Sequence, residues 1–357
     1  MAQWKEQLKI IADTINHVIA DDDFPAKITP PVLRDAVRAY PMMGGKRLRP
    51  ALVMWACGLF GGNPDRVLPA AAAVEIYHNW TLVHDDIIDC DDFRRGLPTT
   101  HISIAASAEK EYGATGATAS KFGTDFAILA GDLQQSWSVE MLGKLQNNGF
   151  HAETILYLIR KMQQELGRDL ISGEACDVAF EIRADEIPES EVREMIAGKT
   201  GALFRYCVQT GAVLANPSLD FEHPDVKAIA EFAGLLALAF QLRDDWLGIF
   251  GEVEKFGKPI GSDFQEGKPT LLYLAAMKHG NAEQKKKLQS LLRLEIYTPE
   301  IVEEIRTLLR ATGAEKIVLD EIDSCSKRAV EILSRFENNP YRILLEELTG
   351  ALTGRNV

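Results

Sequence analysis

The chain has few cysteines, no long uncharged run and no excess of basic charge, and each shortage closes off a class of protein. Its five cysteines, Cys57, Cys90, Cys176, Cys207 and Cys325, are widely spaced, odd in number and form no CxxC pair. Neither a disulfide framework nor a cysteine zinc site is written into them, and reduced, mostly packed thiols in a cytoplasmic protein are expected. No stretch approaches the roughly 18 uncharged residues of a membrane span. The N-terminal segment mixes Lys5, Glu6, Lys9 and Asp13 with apolar positions, which suits an amphipathic helix and not a secretory signal. A formal net charge of -13 removes the basic surface that nucleic acids and anionic membranes require. Any cluster of Arg and Lys in such a chain is local and specific. A GxxxxGK[ST] phosphate loop is also missing: AGKTGALF at 197–204 contains GKT, but it continues a helical pattern from Glu191 with no strand before it.

What is present is helix-forming sequence. With 357 residues and 46% hydrophobic content, the chain can bury a large core. Breakers are sparse, and the segments between them are rich in Ala, Leu, Glu and Lys with little period-2 alternation, so an all-α protein is predicted. Helices are expected over 2–20, 31–40, 50–60, 125–146, 152–181, 189–214, 225–250, 269–279, 283–293, 298–311 and 314–336. Another is expected over 70–95, which follows Pro69, contains neither Gly nor Pro, and stops only at Gly96 and Pro98; at 1.5 Å per residue it would run about 39 Å. No Pro- or Ser-rich linker divides the chain, so residues 1–357 are read as one domain. The small-residue segment 105–120 is expected as a flexible insertion, either a lid or a plain surface loop.

Two aspartate pairs, Asp85-Asp86 and Asp244-Asp245, lie about 160 residues apart in apolar helical stretches, each followed by basic residues. Carboxylates in such surroundings need a cation, and the basic groups need an anion. Magnesium together with a phosphorylated substrate satisfies both, because Mg²⁺ takes one or two carboxylates and completes its shell with phosphates and water. Asp85 and Asp89 are four residues apart and share one helical face, whereas Asp86 points about 100° away. In GGKRLRP, at 44–50, Lys46, Arg47 and Arg49 stand beside two glycines, a pattern suited to clamping a diphosphate. Lys199, Thr200 and Gln241 are polar positions in apolar helices, read either as satisfied core groups or as contacts to phosphate and cation. Lys255, Lys258 and Lys268 follow the second pair. The series His78, His84-Asp85 and Asp244 allows a rival, an all-α HD-type metal phosphohydrolase, since imidazoles suit transition metals. That rival leaves the second aspartate pair and both basic clusters without a role.

Taken in order, GGKRLRP, VEIYHNWTLVHDDIIDCDDFRRG with PTTH, AGD at 130–132, MIAGKTGALF, and FQLRDDWLGIFG with GKPIGSD and EGKPT make the chain resemble the trans-isoprenyl diphosphate synthases, the polyprenyl synthase family, across nearly its whole length. The resemblance implies a single all-α domain of the isoprenoid synthase type around a deep central cavity, a homodimer, and two Asp motifs facing each other across the cavity mouth. By position it implies that Asp85 and Asp89 hold two Mg²⁺ ions and Asp244 a third. It further implies that Arg94, Lys199, Lys258 and Lys268 contact the allylic diphosphate, that Lys46, Arg49, His78 and Arg95 hold isopentenyl diphosphate, and that Thr200 and Gln241 steady the allylic cation. The implied reaction is Mg-assisted ionisation of a dimethylallyl, geranyl or farnesyl diphosphate, 1′-4 coupling to isopentenyl diphosphate, and proton loss. Gly248 stands where the family's second motif often has a third Asp, as in its short-chain members. Trp80 lies five residues before Asp85, about 7.5 Å down the helix, and Tyr77 a turn further. The resemblance makes them the floor under the growing chain, with geranylgeranyl diphosphate as product. Farnesyl diphosphate or a longer polyprenyl diphosphate are alternatives, and a non-catalytic subunit on this fold is a remote one.

Overall fold

Apolar residues recur at helical spacing from the start of the chain. Leu8, Ile11, Ile15 and Ile19 form the buried stripe of α1 (Gln3–Ala20), followed by α2 (Pro31–Met42) and α3 (Leu48–Leu59). The structure, a computed structural model, describes residues 3–182, 187–251 and 260–354. In α4 (Leu68–Ile88) the four alanines at 70–73 are fully buried; side chains this small let α3 and its other neighbours pack closely on α4. A short hairpin, β1 (Phe93–Arg94) and β2 (Leu97–Pro98), leads to α5 (Thr100–Tyr112), α6 (Ala117–Gly143) and α7 (Ala152–Lys161). The main partner of α4 is α6. These elements belong to the first of two compact units, residues 1–161 with 207–226.

The second unit comprises 162–206 with 227–357. A π-turn at Met162–Leu166 leads into α8 (Gly167–Ile182), and after α9 (Glu189–Ile196) a second π-turn, Ala197–Gly201, leads into α10 (Ala202–Ala215). Then come α11 (Pro224–Phe250), α12 (Ser262–Glu266), α13 (Leu271–His279), α14 (Ala282–Ser290), α15 (Pro299–Ala311), α16 (Ala314–Leu333) and α17 (Pro340–Leu352). Val192, Leu242, Leu272, Ile305, Val318 and Ile322 lie in this unit's core. In α15 the buried residues Val302, Ile305 and Leu309 fall on one stripe.

With 79% of the described residues helical, the all-α expectation is met, but several boundaries move. The helix expected over 70–95 ends at Ile88, and a hairpin fills the rest. The segment 105–120, expected as an insertion loop, is instead the second half of α5, a four-residue turn at 113–116 and the start of α6. Neither α5 nor α17 was expected. The α5 sequence is rich in Ser, Thr and Ile, weak helix formers that tertiary packing overrides. The start of α17 is marked by Asn339, whose side chain accepts from the amides of Tyr341 and Arg342, with Pro340 at the first helical position.

Candidate functional site

In the first unit, α4 delivers Asp85 and Asp89 at its C-terminal turn. The helix stops because Cys90 takes a left-handed backbone, φ +56°. The amides of Cys90 and Asp91 then turn back to the carbonyls of Ile87 and Asp86 at 3.4 and 2.9 Å, a Schellman ending with Cys where Gly is usual. The hairpin turn has positive φ at both Arg95 and Gly96, the type I′ pattern that matches strand twist. It returns Arg94 to the helix: Nε donates to Asp86 Oδ1 at 2.6 Å, and Nη2 lies 3.2 Å from Asp85 Oδ2. Asp86 is fully buried and also accepts from the Tyr40 hydroxyl. Burial pushes the Asp86 carboxyl up and works against the Arg94 charge too, yet pairing with Asp86 leaves Arg94 above its ordinary range. Asp86 is therefore a structural tie, while Asp85 and Asp89 are half-buried at the helix end.

The basic turn before α3 divides its cations between two directions. Arg47, expected to join Lys46 and Arg49 in a clamp, points inward and is 2% exposed. Its Nη1 donates to Glu75 Oε1 at 2.6 Å, its Nε and Nη2 to Asn16 Oδ1 at 3.0 and 2.7 Å, and Nη2 also to the Pro41 carbonyl at 2.5 Å. Lys46 is exposed and Arg49 half-buried. Arg95 Nη1 donates to the Gly44 carbonyl. Its guanidinium fills the space beside Gly45, where an added Cβ would lie 3.0 Å from Nη1; with φ at +140°, only glycine suits that position. His78, one turn beyond Glu75 on α4, feels Arg49, Arg95, Arg94 and Arg47. Burial, then those four charges, push its imidazole well below its ordinary 6.5, so it is neutral at pH 7.

Of the residues expected at an isopentenyl diphosphate site, Arg49, His78 and Arg95 thus converge, with Lys46 on the adjoining turn. The same cations make His78 a poor metal ligand, and the His84 Nε2 sits 3.1 Å from the Ile128 carbonyl. The phosphohydrolase reading loses the His78 imidazole. Lower on α4, Trp80 packs edge-on against Tyr77 at 4.8 Å and against His84 at 6.0 Å. Tyr77 is 1% exposed, and the indole Nε1 of Trp80 is buried without a hydrogen-bond partner among the described residues.

In the second unit, Lys199 and Thr200 sit on the π-turn between α9 and α10. The turn lies backbone to backbone against α8: a Cβ on Gly173 would come within 2.2 Å of the Lys199 amide nitrogen, and one on Gly198 within 2.6 Å of the Asp169 carbonyl. Lys199 Nζ reaches Asp177 Oδ2 at 2.7 Å and Glu174 Oε2 at 2.9 Å. The Thr200 hydroxyl donates to Gln241 Oε1 at 3.0 Å, and Gln241 Nε2 donates to Asp245 Oδ1 at 2.9 Å. Thr200 and Gln241 are thereby locked in orientation, with oxygen lone pairs left over on Thr200. Burial, followed by the charges of Asp263, Asp244 and Asp177, holds the Asp245 carboxyl well above the usual range against the Gln241 hydrogen bond. Asp244 is half-buried. Lys268 pairs with Glu266 at 2.5 Å and faces Glu181 at 3.9 Å. Lys258 lies outside the described residues.

Sequence reasoning missed Tyr40, Glu75, Glu174 and Asp177. Glu75 carried a signal, as the lone charge in the run AAAAVEIY, since a buried carboxylate needs a cation. Tyr40 carried none.

The model of the family described as polyprenyl synthetase matches residues 30–309. A geranylgeranyl diphosphate synthase of Saccharolobus solfataricus is 38% identical over 254 residues, 70% of this chain and 68% of that protein. A short chain isoprenyl diphosphate synthase of Methanocaldococcus jannaschii is 36% identical over 267 residues, 75% of this chain and 73% of its own. Among solved structures, a Corynebacterium glutamicum geranylgeranyl pyrophosphate synthase complexed with isoprenyl diphosphate and magnesium is similar with a TM-score of 0.83 and 29% identity, covering 99% of this chain and 100% of that one. Because the family match takes in the basic turn, both aspartate pairs and the Lys199-Thr200 turn, the chain belongs to the polyprenyl synthetase family, whose members are prenyltransferases.

Proposed function

We propose that this prenyltransferase condenses isopentenyl diphosphate with an allylic diphosphate and releases geranylgeranyl diphosphate as its main product. The observation that carries the reading is the cation cluster of the first unit: Arg49, Arg95 and neutral His78 gathered beside an exposed Lys46. Three cations and one uncharged donor suit a diphosphate, which offers several charged oxygens to guanidinium forks. Arg94, Lys199 and Lys268 are each held by carboxylates, and an arriving allylic diphosphate competes for them. Lys258 belongs to this set by position.

The donor set fits magnesium. Asp85, Asp89 and Asp244 offer hard carboxylate oxygens. Mg²⁺ takes such oxygens from one or two carboxylates and the rest of its shell from substrate phosphates and water. In our reading these three aspartates would hold three ions, which when bound would supply Lewis-acid neutralisation of the leaving diphosphate. The protein's own groups do the rest. The cations bind the two diphosphates, Thr200 and Gln241 offer oxygen to the allylic cation, and the proton leaves to the released diphosphate, so no side-chain base is needed.

Trp80 and Tyr77, stacked below Asp85 on α4, support a floor that stops growth at twenty carbons, and relatives named geranylgeranyl diphosphate synthase at 36 to 38% identity support the same length. Exposed Ile128 and Leu129 on α6 support a second copy covering that face, and we read the enzyme as a cytoplasmic homodimer. No helix among the described residues is long and apolar enough to cross a membrane. Diphosphate release tests the reading. It should require isopentenyl diphosphate, an allylic diphosphate and Mg²⁺ together. Release from the allylic substrate alone would mean hydrolysis or cyclisation, and no release would sink the reading.

A further inference from the structure

We infer that Arg47, Glu75 and Asn16 form a buried positioning device that sets the geometry of the diphosphate cluster without touching the diphosphate; the inference rests on the reading of Lys46, Arg49, His78 and Arg95 given above. Arg47 lies between Lys46 and Arg49 in sequence and caps the N-terminus of α3 in a left-handed conformation, φ +50°. A side chain with a Cβ avoids that conformation unless its surroundings hold it. Here they do. Four hydrogen bonds from one guanidinium reach α1 through Asn16, the end of α2 through the Pro41 carbonyl, and α4 through Glu75. The side chains of Arg47 and Glu75 are 0% and 5% exposed, so substrate cannot reach this pair.

The pair acts on the site by two routes. Geometrically, the conformation of Arg47 fixes the direction in which the chain leaves Gly44 and Gly45. That fixes the carbonyl and the open space onto which Arg95 docks and the exit angles of Lys46 and Arg49 on either side. Electrostatically, Glu75 supports the charge on Arg95 while Arg47 opposes it, so the two act on Arg95 with opposite sign. A buried ion pair stabilises a fold little more than apolar residues of the same volume would. Its retention here is explained by the position it dictates.

That balance gives a clean experiment. The double variant R47M/E75L removes one positive and one negative charge together, keeps the volume apolar and leaves the net charge of the pocket unchanged. The full-length enzyme is assayed with Mg²⁺, with isopentenyl and farnesyl diphosphate varied separately, and its melting temperature is measured alongside. The expected result is a KM for isopentenyl diphosphate raised at least tenfold, a KM for farnesyl diphosphate within twofold of wild type, and little loss of melting temperature. An unchanged KM for isopentenyl diphosphate would overturn the inference. So would equal rises in both KM values, which mark a general structural role. Should the double variant not fold, N16A removes from half-buried Asn16 of α1 the acceptor of two Arg47 hydrogen bonds. It should raise the same KM selectively by a smaller factor, and unchanged or evenly raised values would again refute the device. Wild-type condensation is measured first, so failure of the functional reading is distinguished from failure of this one.

Discussion

Asp86 gives its two carboxylate oxygens to the Tyr40 hydroxyl and the Arg94 guanidinium, whereas Asp85 meets Arg94 only at 3.2 Å. Substituting Asp86 by Ala therefore takes the carboxylate acceptor from the buried Tyr40 hydroxyl and leaves Arg94 its longer contacts to Asp85 and Asp91, and should cost about 2 kcal/mol of stability, read in chemical denaturation. Asp85→Ala should leave the denaturation midpoint nearly unchanged while abolishing turnover. If both variants lost stability equally, the division between tie and ligand would be wrong. His78 gives a prediction in pH. Its folded value lies below its unfolded 6.5, so the unfolded chain binds the extra proton first. The contribution of neutral His78 to stability is full above about pH 6.5 and is lost as the pH falls toward the folded value. The fall in melting temperature between pH 7.5 and 5.5 should be smaller in His78→Gln than in wild type, and an identical fall would contradict the burial of a neutral imidazole. At this scale the sequence announced the aspartates well, because residues four apart on a helix must share a face. It misplaced Arg47, because the partner that turns that side chain inward lies 28 positions away.

The end of α4 and the π-turn at 197–201 carry most of the site's local geometry, and neither was legible as such. Sequence signals for a helix end are Gly and Pro, and α4 ends on Cys90 instead. Replacing Cys90 by Gly removes the left-handed penalty, offset in part by glycine's greater freedom when unfolded, and should stabilise the fold by up to about 1 kcal/mol with turnover unchanged. A destabilised variant would mean that the Cys90 side chain, and not its backbone, matters. At the π-turn the signal was misleading: 189–214 reads as one helix, and the interruption comes from α8, where Gly173 lets the two backbones touch. Gly173→Ala puts a methyl within 2.2 Å of the Lys199 amide nitrogen and must shift the turn. Turnover should drop at least tenfold, an effect on the order of 1.4 kcal/mol in the barrier. Unchanged turnover would show that Lys199 and Thr200 do not depend on that contact.

For the whole molecule, a strongly acidic, all-helical chain places its few concentrated basic groups beside its aspartate motifs. That is why the broad chemistry could be read before any fold was known. The match to the polyprenyl synthetase model runs from 30 to 309 and so draws residues from both compact units. What the sequence could not supply was the network of carboxylates, Glu75, Glu174 and Asp177 among them, that holds the site's cations, since each pairing is made across helices distant in the chain. Chelation with EDTA should stop turnover, with recovery on added Mg²⁺; full activity in the chelator would remove the assigned role of Asp85, Asp89 and Asp244. The most direct test of the central claim is the chain length of the product made from isopentenyl diphosphate and Mg²⁺ with dimethylallyl, geranyl or farnesyl diphosphate as primer, for wild type and Trp80→Ala. The account predicts twenty carbons from all three primers with wild type and longer chains with Trp80→Ala. It is contradicted if no primer is elongated, or if wild-type products run well beyond twenty carbons.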